Sequence, residues 1–412
     1  MKGRHLPILR ARHQVGLLEG GQDLFPEMVR GIDACVREVR METYIFNFDE
    51  SGQKVAQALE RAARRGVQVF LMVDGVGTPE MPSDWTQRFD AAGVQWRIFL
   101  PLGHVGLLIP SHWRRLHRKL CVIDGQVMFC GGINILDDWI DPNHGQLQSP
   151  RLDFAVRVSG PLVRLGHETA TQLWLRQEAA HELRHADWSA SWKTLQDAVR
   201  LAWEKSGRSI LEQDELAPAG NGARAALVLR DNLRFRTQIE RAYRKSIADA
   251  RQNILIANAY FLPGRKLRRA LIKAVQRGVR VRLLLQGRYE YFMQYHAVRM
   301  VYGQLLAAGI EIWEYRASFL HAKVAVIDRR WATVGSSNLD PLSLLLAREA
   351  NIVLEDESFA EDLHERLSRA IETGARQVDP ASYASRPWRE RLLDRLAYGL
   401  MRLAVLISGS RY

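Results

Sequence analysis

The same order of secondary-structure signals occurs twice along this chain, and this repetition constrains the fold more than any other feature. Residues 42–75 and residues 254–287 each read as a strand, an amphipathic helix, an Arg-Gly turn and a second strand. Each copy continues to an Ala-Gly turn, at 92–93 and at 308–309, and then to a further short strand. Strand, helix and strand in this order are typical of parallel β-α-β units. The sequence therefore predicts a duplicated α/β fold.

Each copy carries the same polar motif at an equivalent place. Both motifs fit the pattern H-x-K-x4-D-x6-G-[GS]-x-N without a gap. The motif residues are His117, Lys119, Asp124, Gly131, Gly132 and Asn134 in the first copy, and His321, Lys323, Asp328, Gly335, Ser336 and Asn338 in the second. Chance would give about 0.01 matches to the first three positions, so two matches within a duplication are not coincidence. The copies differ at one place, where Gly132 replaces Ser336.

The spacing of each motif suits phosphoryl chemistry. Residues i and i+2 of a strand project from one face, so the His and Lys of each motif point the same way. If the two copies pack face to face, two His, two Lys and two Asn side chains meet in one pocket. Imidazole can act as nucleophile or proton donor, and Lys and Asn can bind phosphate oxygens, so the chemistry needs no metal or cofactor. The alternative of core histidines and surface lysines explains neither the repetition nor the shared Asn.

Composition narrows the class of protein and of partner. With 412 residues, 47% hydrophobic and 25% charged, the chain suits a folded protein of two or three domains. The formal net charge of +12 favours nucleic acid, an anionic membrane or a phosphorylated substrate. The 3 cysteines lack C-x-x-C spacing, which argues against a disulfide framework and a cysteine zinc site. We expect neither a signal peptide nor a spanning helix, and a location in the reducing cytoplasm or at its membrane face.

Composition also marks the boundary between the copies. Residues 165–213 read as helical and are followed by Ala-Pro-Ala-Gly-Asn-Gly at 217–222, which is a linker composition. The second copy is expected to open with a basic helix at 233–247. In the first copy, about a dozen extra residues lie between Gly93 and His117. The predicted domains are residues 1–215 with the first motif, residues 216–385 with the second motif, and a C-terminal amphipathic helix over residues 386–412.

The two motifs resemble the signature of the phospholipase D superfamily, and the resemblance runs through both halves of the chain. It implies a duplicated phospholipase D-like α/β/α sandwich, with two pseudo-symmetric domains and the active site at their interface. It also implies that one His attacks phosphorus to form a phosphohistidine while the other acts as acid and then as base. By this resemblance His117 is the nucleophile and His321 the acid. The implied phosphate ligands are Lys119, Lys323, Asn134, Asn338 and, in an assisting role, Ser336.

Four carboxylates accompany these residues. Asp124 and Asp328 belong to the family's catalytic signature, yet we expect both to be structural, paired with neighbouring backbone or cations. Asp153 and Glu349 each follow their motif and open an apolar strand, where the family places the acid that orients a His. Such an acid fixes the tautomer of the His and stabilises its cation, whereas the alternative is a solvated charge at a strand end. The sequence does not say which acid serves which His, although the family's crossed arrangement would pair each with the other half's.

Three features favour a lipid substrate within a superfamily that also includes nucleases. Residues 101–110 form an apolar loop shortly before the first motif, and residues 389–407 read as an amphipathic helix with arginines among its leucines. Residues 264–282 carry many basic residues and no acid. The respective alternatives are ordinary loop packing, a helix docked on the core, and a solvated helix face.

Residues 42–46 (Glu-Thr-Tyr-Ile-Phe) and 335–341 look like those of bacterial cardiolipin synthases, and the layout is most similar to the B group of that family. The resemblance implies a phosphatidyltransferase that moves a phosphatidyl group from phosphatidylglycerol to an alcohol of a second phospholipid. It implies peripheral contact with anionic membrane at the cytoplasmic side of a bacterial cell membrane, and no nucleic acid partner. The sequence does not decide whether phosphatidylethanolamine also serves as a donor. The alternatives are a phospholipase D or another phosphodiesterase, including a nuclease, that uses water, and a non-catalytic membrane-binding protein.

Overall fold

The computed structural model of the chain describes residues 8–102, 114–184, 222–230, 237–289, 292–340 and 347–407. The described strands of the first copy are β1 Arg10–Glu19, β2 Glu38–Thr43, β3 Gln68–Asp74, β4 Gln95–Phe99, β5 Arg115–Leu116, β6 Lys119–Ile123, β7 Val127–Gly131, β8 Ile140–Asp141, β9 Gly145–Gln146 and β10 Phe154–Ser159. Its described helices are α1 Gly20–Ala34, α2 Glu50–Arg64, α3 Ser83–Ala92 and α4 Leu162–Arg184.

The second copy repeats this order. Its described strands are β11 Ala223–Arg230, β12 Asn253–Asn258, β13 Arg280–Gln286, β14 Glu311–Tyr315, β15 Lys323–Ile327, β16 Trp331–Gly335, β17 Ala347–Glu355 and β18 Ala375–Gln377. Its described helices are α5 Gln238–Asp249, α6 Arg265–Gln276, α7 Phe292–Ala307, α8 Glu357–Gly374, α9 Pro380–Ala384 and α10 Trp388–Ile407.

Local sequence explains the β-α-β units. Helix α2 begins where Asp49 caps it by accepting a hydrogen bond from the Gly52 N–H, and it buries its apolar stripe. The Arg-Gly turns that follow α2 and α6 place Gly66 at φ +89° and Gly278 at φ +88°, a left-handed conformation that glycine adopts without strain. Strands β6 and β15 are buried along their whole length, as their continuous apolar runs predict.

All described strands except β8 and β9 form one continuous 16-stranded sheet whose two halves have the same order, and β8 pairs with β9 in a separate 2-stranded sheet. From the centre outward, the first half runs β1-β10-β7-β6-β2-β3-β4 and the second runs β11-β17-β16-β15-β12-β13-β14. Strands β1 and β11 pair antiparallel and join the two halves. The short strand β5 of the first copy pairs in parallel with β17 of the second. The predicted duplicated α/β/α architecture is therefore confirmed.

Helices cover both faces of this sheet. Helices α1 to α3 pack on one face of the first half, and α5 to α7 pack on the second half. On the other face, α4 and α8 share one apolar cluster that includes strands of both copies. Because this cluster contains residues of both copies, its packing fixes their relative position. A site between the copies requires such a fixed arrangement.

The structure corrects how the second copy begins. The second copy was expected to open with a basic helix at 233–247, but the strand β11 comes first. Helix α5 runs from Gln238 to Asp249, and residues 233–236 of the expected helix lie outside the described residues. The first copy likewise opens with β1 and α1, which the sequence analysis did not identify. The predicted boundary at 215/216 and the linker at 217–222 lie almost wholly outside the described residues, so the domain limits stay a prediction. The C-terminal helix α10 packs against α7 and shares the apolar core of the second copy.

Candidate active site

A cavity of about 1030 Å³ lies between the two copies. Its lining combines His117 and Asn134 of the first motif with His321 and Asn338 of the second. Asp153 also reaches this cavity, while Glu349 is fully buried beside it. The face-to-face packing on which the sequence argument depended is thus present, and equivalent polar residues of the two copies meet at one place.

Backbone hydrogen bonds between the copies hold both histidines. The N–H of His117 donates to the carbonyl of Arg348 at 3.1 Å, beside the β5–β17 pairing. The N–H of His321 donates to the carbonyl of Leu152 at 2.9 Å. Each acceptor immediately precedes an acidic residue, Glu349 or Asp153. The pairing of strand ends therefore places each His against the acid of the opposite copy.

The side chains complete this crossed arrangement. His117 Nδ1 lies 3.1 Å from both carboxylate oxygens of Glu349. His321 Nδ1 lies 2.6 Å from Asp153 Oδ2. Glu349 is 0% exposed and Asp153 is 3% exposed, so neither is the solvated strand-end charge of the alternative interpretation. Each Nε2 is left as the ring nitrogen that can meet a substrate.

The two motif lysines are buried beside the histidines. Lys119 Nζ donates to the carbonyl of His117 at 2.9 Å. Lys323 Nζ lies 2.7 Å from His321 Nδ1, donates to the carbonyl of His321, and lies 3.8 Å from Asp153 Oδ2. Burial and the charge of Lys323 lower the pKa of Lys119 to about 7. Two ammonium groups in a buried site attract an anion such as a phosphodiester.

The motif asparagines and Ser336 differ in what they contact. Asn134 Oδ1 accepts the Ile45 N–H at 3.2 Å, which orients its amide at the cavity wall. Asn338 also lines the cavity and is 3% exposed. The hydroxyl of Ser336 is fully buried and donates to Glu349 Oε2 at 2.5 Å, so in this structure Ser336 contacts the orienting acid. A Cβ at Gly132 would lie 2.3 Å from Asp153 Oδ1, so the equivalent place has no room for a serine.

Asp124 and Asp328 lie at the far ends of β6 and β15 from the lysines. Asp124 accepts hydrogen bonds from the N–H groups of residues 36–38, and Asp328 from those of residues 251–253. Both residues are in the left-handed region, with φ values of +52° and +51°. Asp tolerates this conformation and its carboxylate satisfies turn N–H groups. Their geometry is that of turn-forming residues that tie neighbouring elements to the strand.

Burial and neighbouring charges shift the pKa values of the equivalent groups differently in the two copies. Burial lowers the pKa of His117, although the Glu349 carboxylate opposes the shift. Burial, together with the charges of Lys323 and Lys119, lowers the pKa of His321 well below its ordinary value. Burial raises the pKa of Asp153 to about 6. Burial acts on Glu349 in the same sense, but the His117 ring and other neighbours outweigh it and hold the Glu349 pKa below its ordinary value.

Sequence reasoning missed two contributors near His117. The ring of Tyr44 packs edge-on to His117 with centroids 4.9 Å apart, and Lys119 Nζ lies 5.3 Å from the same ring. Next to them, the buried side chains of Arg118 and Glu42 form a bidentate ion pair. Glu42 and Tyr44 belong to the run at 42–46 that carried the family resemblance, and this was the signal that could have identified them.

Of the three features that favoured a lipid substrate, the basic stretch and the C-terminal helix can be compared with the structure. Most of the apolar loop at 101–110 lies outside the described residues. The basic stretch at 264–282 contains α6, which buries Leu267, Leu271 and Ala274 and turns its charged residues outward. That stretch matches the alternative of a solvated helix face. The third feature, α10, has both a buried and an exposed apolar side.

Residues 28–145 and 243–371 match the family described as "Cardiolipin synthase, PLD-like domain". The chain belongs to this family. It is 34% identical over 395 residues to cardiolipin synthase B of Escherichia coli (strain K12), with 95% of this chain and 89% of that protein covered. It is 28% identical to the cardiolipin synthase of Geobacillus kaustophilus, with 94% of this chain and 74% of that protein covered. The family predicted from the motifs is confirmed, and the protein is an enzyme of the phosphatidyltransferase class.

Two solved structures share the fold across both copies. The phosphatidylserine synthase of Haemophilus influenzae superposes with a TM-score of 0.66 at 12% identity and covers 98% of this chain and 97% of its own. The polyphosphate kinase of Porphyromonas gingivalis has a TM-score of 0.52 at 13% identity, with 87% of this chain and 50% of its own covered. At these identities the likeness concerns the fold alone.

Proposed function

We propose that this protein makes cardiolipin by transferring a phosphatidyl group from phosphatidylglycerol to a hydroxyl of a second phospholipid. The observation that carries the proposal is the crossed pairing of two histidines with buried acids of the opposite copy at one cavity, with two buried lysines beside the histidines. Membership of the cardiolipin synthase family supplies the reaction class. Free glycerol is the second product.

In the first step, Nε2 of His117 attacks the phosphorus of phosphatidylglycerol. The bond from phosphorus to the terminal glycerol oxygen breaks, and that oxygen takes a proton from Nε2 of the His321 cation. The positive charges of Lys119 and Lys323 balance the charge that develops on the phosphoryl oxygens, with Asn134 and Asn338 as amide donors. The product is a phosphatidyl group bound to His117.

In the second step, the hydroxyl of another phospholipid replaces glycerol. Its proton passes to the now neutral His321, its oxygen attacks phosphorus, and the bond to His117 breaks. Both histidines return to their initial states, so the cycle needs no external acid, base or cofactor. Exclusion of water from the intermediate favours transfer over hydrolysis.

The neighbours of each His support this division of roles. The ionised Glu349 accepts the Nδ1–H of His117, which leaves a lone pair on Nε2 for attack. The depressed pKa of His321 works against an acid role in the empty site. The negative charge of a bound phosphodiester opposes that depression, and Asp153 balances the cation from 2.6 Å. Glu349 and Asp153 are positioning residues in this mechanism. Ser336 supports Glu349 by donating a hydrogen bond to its carboxylate.

The deciding experiment incubates the purified protein with phosphatidylglycerol vesicles and resolves the products. We expect cardiolipin and glycerol in equal amounts, and neither from a His117→Ala variant. Phosphatidic acid as the main product would assign the protein to the water-using phosphodiesterases. Cleavage of DNA or RNA without lipid turnover would assign it to the nucleases, and no turnover of either kind would contradict an enzyme of this class.

We also propose that the protein acts as a peripheral protein at the cytoplasmic side of the bacterial membrane. Within the described ranges, no helix is both long enough and apolar enough to cross a bilayer. The formal net charge of +12 favours contact with an anionic lipid surface. Fractionation of cells with a salt or carbonate wash tests this, because a peripheral protein is released by the wash.

A further inference from the structure

Helix α10 presents two different sides. Asp394, Ala397 and Met401 are buried toward the body of the protein, where the helix packs on α7. On the outer side a row of leucines, here called the leucine face, is 40% to 55% exposed: Leu392, Leu393, Leu396, Leu400 and Leu403. At about 100° per residue, these leucines form a stripe about 100° wide beside the packed side. An exposed apolar stripe of this length on an ordered helix is typical of an interaction surface.

A buried ion cluster holds α10 in this orientation. Asp394 is 1% exposed and accepts from Nδ1 of His296 on α7 at 2.8 Å. Its second oxygen accepts from the guanidinium of Arg386 at 3.1 Å. A buried carboxylate with two partners is costly to separate from them, so the leucine face cannot turn inward to complete the core. It is presented outward by the fold itself.

The charges around the leucine face indicate which kind of partner it binds. Arg389 lies within the stripe, and Arg391, Arg395 and Arg402 are exposed along the rest of the helix. A second copy of this chain would bring the same arginines and a further formal net charge of +12 against them. An anionic bilayer instead offers apolar chains to the leucines and phosphate groups to the arginines.

The same helix also forms part of the catalytic cavity. Met401 of α10 and Val298 of α7 line it, together with Tyr260, Leu262 and Ala347. We propose that the leucine face docks into an anionic bilayer and that Met401 and Val298 form the wall along which acyl chains enter the cavity. This inference rests on the proposed lipid substrate and identifies the surface through which that substrate arrives.

The docking half is tested with the full-length triple variant Leu392→Gln, Leu396→Gln and Leu400→Gln. Its matched control is Val36→Gln, which changes an apolar side chain that is 77% exposed on the first copy. Co-sedimentation with phosphatidylglycerol vesicles should weaken at least tenfold in the triple variant and not in the control. The melting temperature and the turnover of monomeric short-chain phosphatidylglycerol should stay at the wild-type values. Wild-type vesicle binding by the triple variant would overturn the proposal.

Two further outcomes keep this test decisive. If the triple variant melts early, Leu396→Gln alone and the double variant Arg389→Gln, Arg395→Gln must each weaken vesicle binding severalfold, and wild-type binding by both would overturn the proposal. If sedimentation shows a wild-type dimer that the triple variant loses, the leucine face belongs to a second copy and the proposal is wrong. Vesicle binding is measured in the His117→Ala background, which should not turn over phosphatidylglycerol, so failure to make cardiolipin would be seen separately.

The cavity-wall half is tested with Met401→Gln. Vesicle binding should be retained, while turnover of long-chain phosphatidylglycerol in bilayers should fall about fivefold more than turnover of the short-chain monomer. Equal losses on both substrates would contradict a role of Met401 in passing acyl chains.

Discussion

The half-site around His117 and the half-site around His321 contain the same residue types in the same order, yet their surroundings differ. His117 faces Glu349, which is fully buried, hydrogen-bonded by Ser336 and held ionised. His321 faces Asp153, whose pKa is raised to about 6 and which has Gly132 where a serine would stand. Duplication thus supplies two equivalent imidazoles, and the side chains behind them make the two unequal.

This inequality suits a reaction in which two equivalent groups must do different work. A permanently ionised acid behind a His keeps one tautomer and leaves Nε2 ready for attack. An acid that titrates near neutrality allows the charge of its His to depend on what else occupies the site. Ser336 is one of several groups that lower the pKa of Glu349, and burial raises the pKa of Asp153, so the Gly/Ser difference contributes to this inequality.

The largest effects are expected from the histidines themselves. His117→Ala and His321→Ala should each lower kcat by about 10⁴-fold or more, and the double variant should be little worse, because the two residues act as one unit. A phosphodiester with a p-nitrophenolate leaving group needs no acid, so burst release of p-nitrophenol should return in His321→Ala and not in His117→Ala. The opposite pattern would exchange the two roles. Alkaline quenching of the labelled intermediate and mapping of the phosphohistidine provide an independent check.

The orienting acids come next. Glu349→Gln should lower kcat by about 10²- to 10⁴-fold, because an amide favours the wrong tautomer of His117. Asp153→Asn should cause a loss of the same order on phosphatidylglycerol that shrinks on the p-nitrophenyl substrate. Kinetics of both variants on both substrates measure this. Equal behaviour of the two variants on the activated substrate would mean that the half-sites are functionally alike.

The Gly/Ser difference should have a smaller effect. Ser336→Ala removes a hydrogen bond to an ionised carboxylate, worth about 1.5–3 kcal/mol, so kcat should fall about 10- to 100-fold. Gly132→Ala introduces a Cβ 2.3 Å from Asp153 Oδ1, which must displace that carboxylate from His321. Circular dichroism and the melting temperature serve as folding controls for both variants. Wild-type kinetics in Ser336→Ala would separate this serine from the function of Glu349.

The pH dependence of kcat/KM should also reflect the difference between the two half-sites. Asp153, with a pKa of about 6, loses its charge as pH falls below that value, and Lys119, with a pKa of about 7, loses its charge as pH rises above it. We therefore expect the charge of Asp153 to contribute to the acidic limb of the kcat/KM profile and the charge of Lys119 to contribute to its alkaline limb. Lys119→Arg keeps the positive charge and should move the alkaline limb upward without moving the acidic one. A pH profile of kcat/KM for both proteins tests this.

No effect is expected from metal removal. The proposed steps use imidazole, ammonium and amide groups in both half-sites, so dialysis against EDTA should leave turnover unchanged. Complete loss of turnover that one divalent ion restores would contradict the mechanism in both halves at once.

Much of the fold could be predicted because its signals are local. The strand, helix and strand periods at 42–75 and 254–287 lie within single β-α-β units, and those units occur as predicted. Strands β1 and β11 were not predicted from the sequence. They pair with each other and form the seam between the two copies. Helix α10 was identified, but its buried and exposed sides could be separated only once its packing on α7 was known.

The sequence by itself determined which residues could react: two His-Lys pairs, each at the start of an apolar run that ends at Asp124 or Asp328. Both residues of each pair were expected within a strand, whereas in the structure each Lys begins a buried strand and each His lies two residues before it. Only the tertiary structure decided how they are paired. Glu349 lies 232 positions from His117, and Asp153 lies 168 positions from His321. Residues so far apart meet because β5 pairs with β17 and because the Leu152 carbonyl accepts a hydrogen bond from the His321 N–H. A local motif carries no information about such contacts. Burial at the interface then sets the charge of each group, since desolvation depends on what the other copy covers.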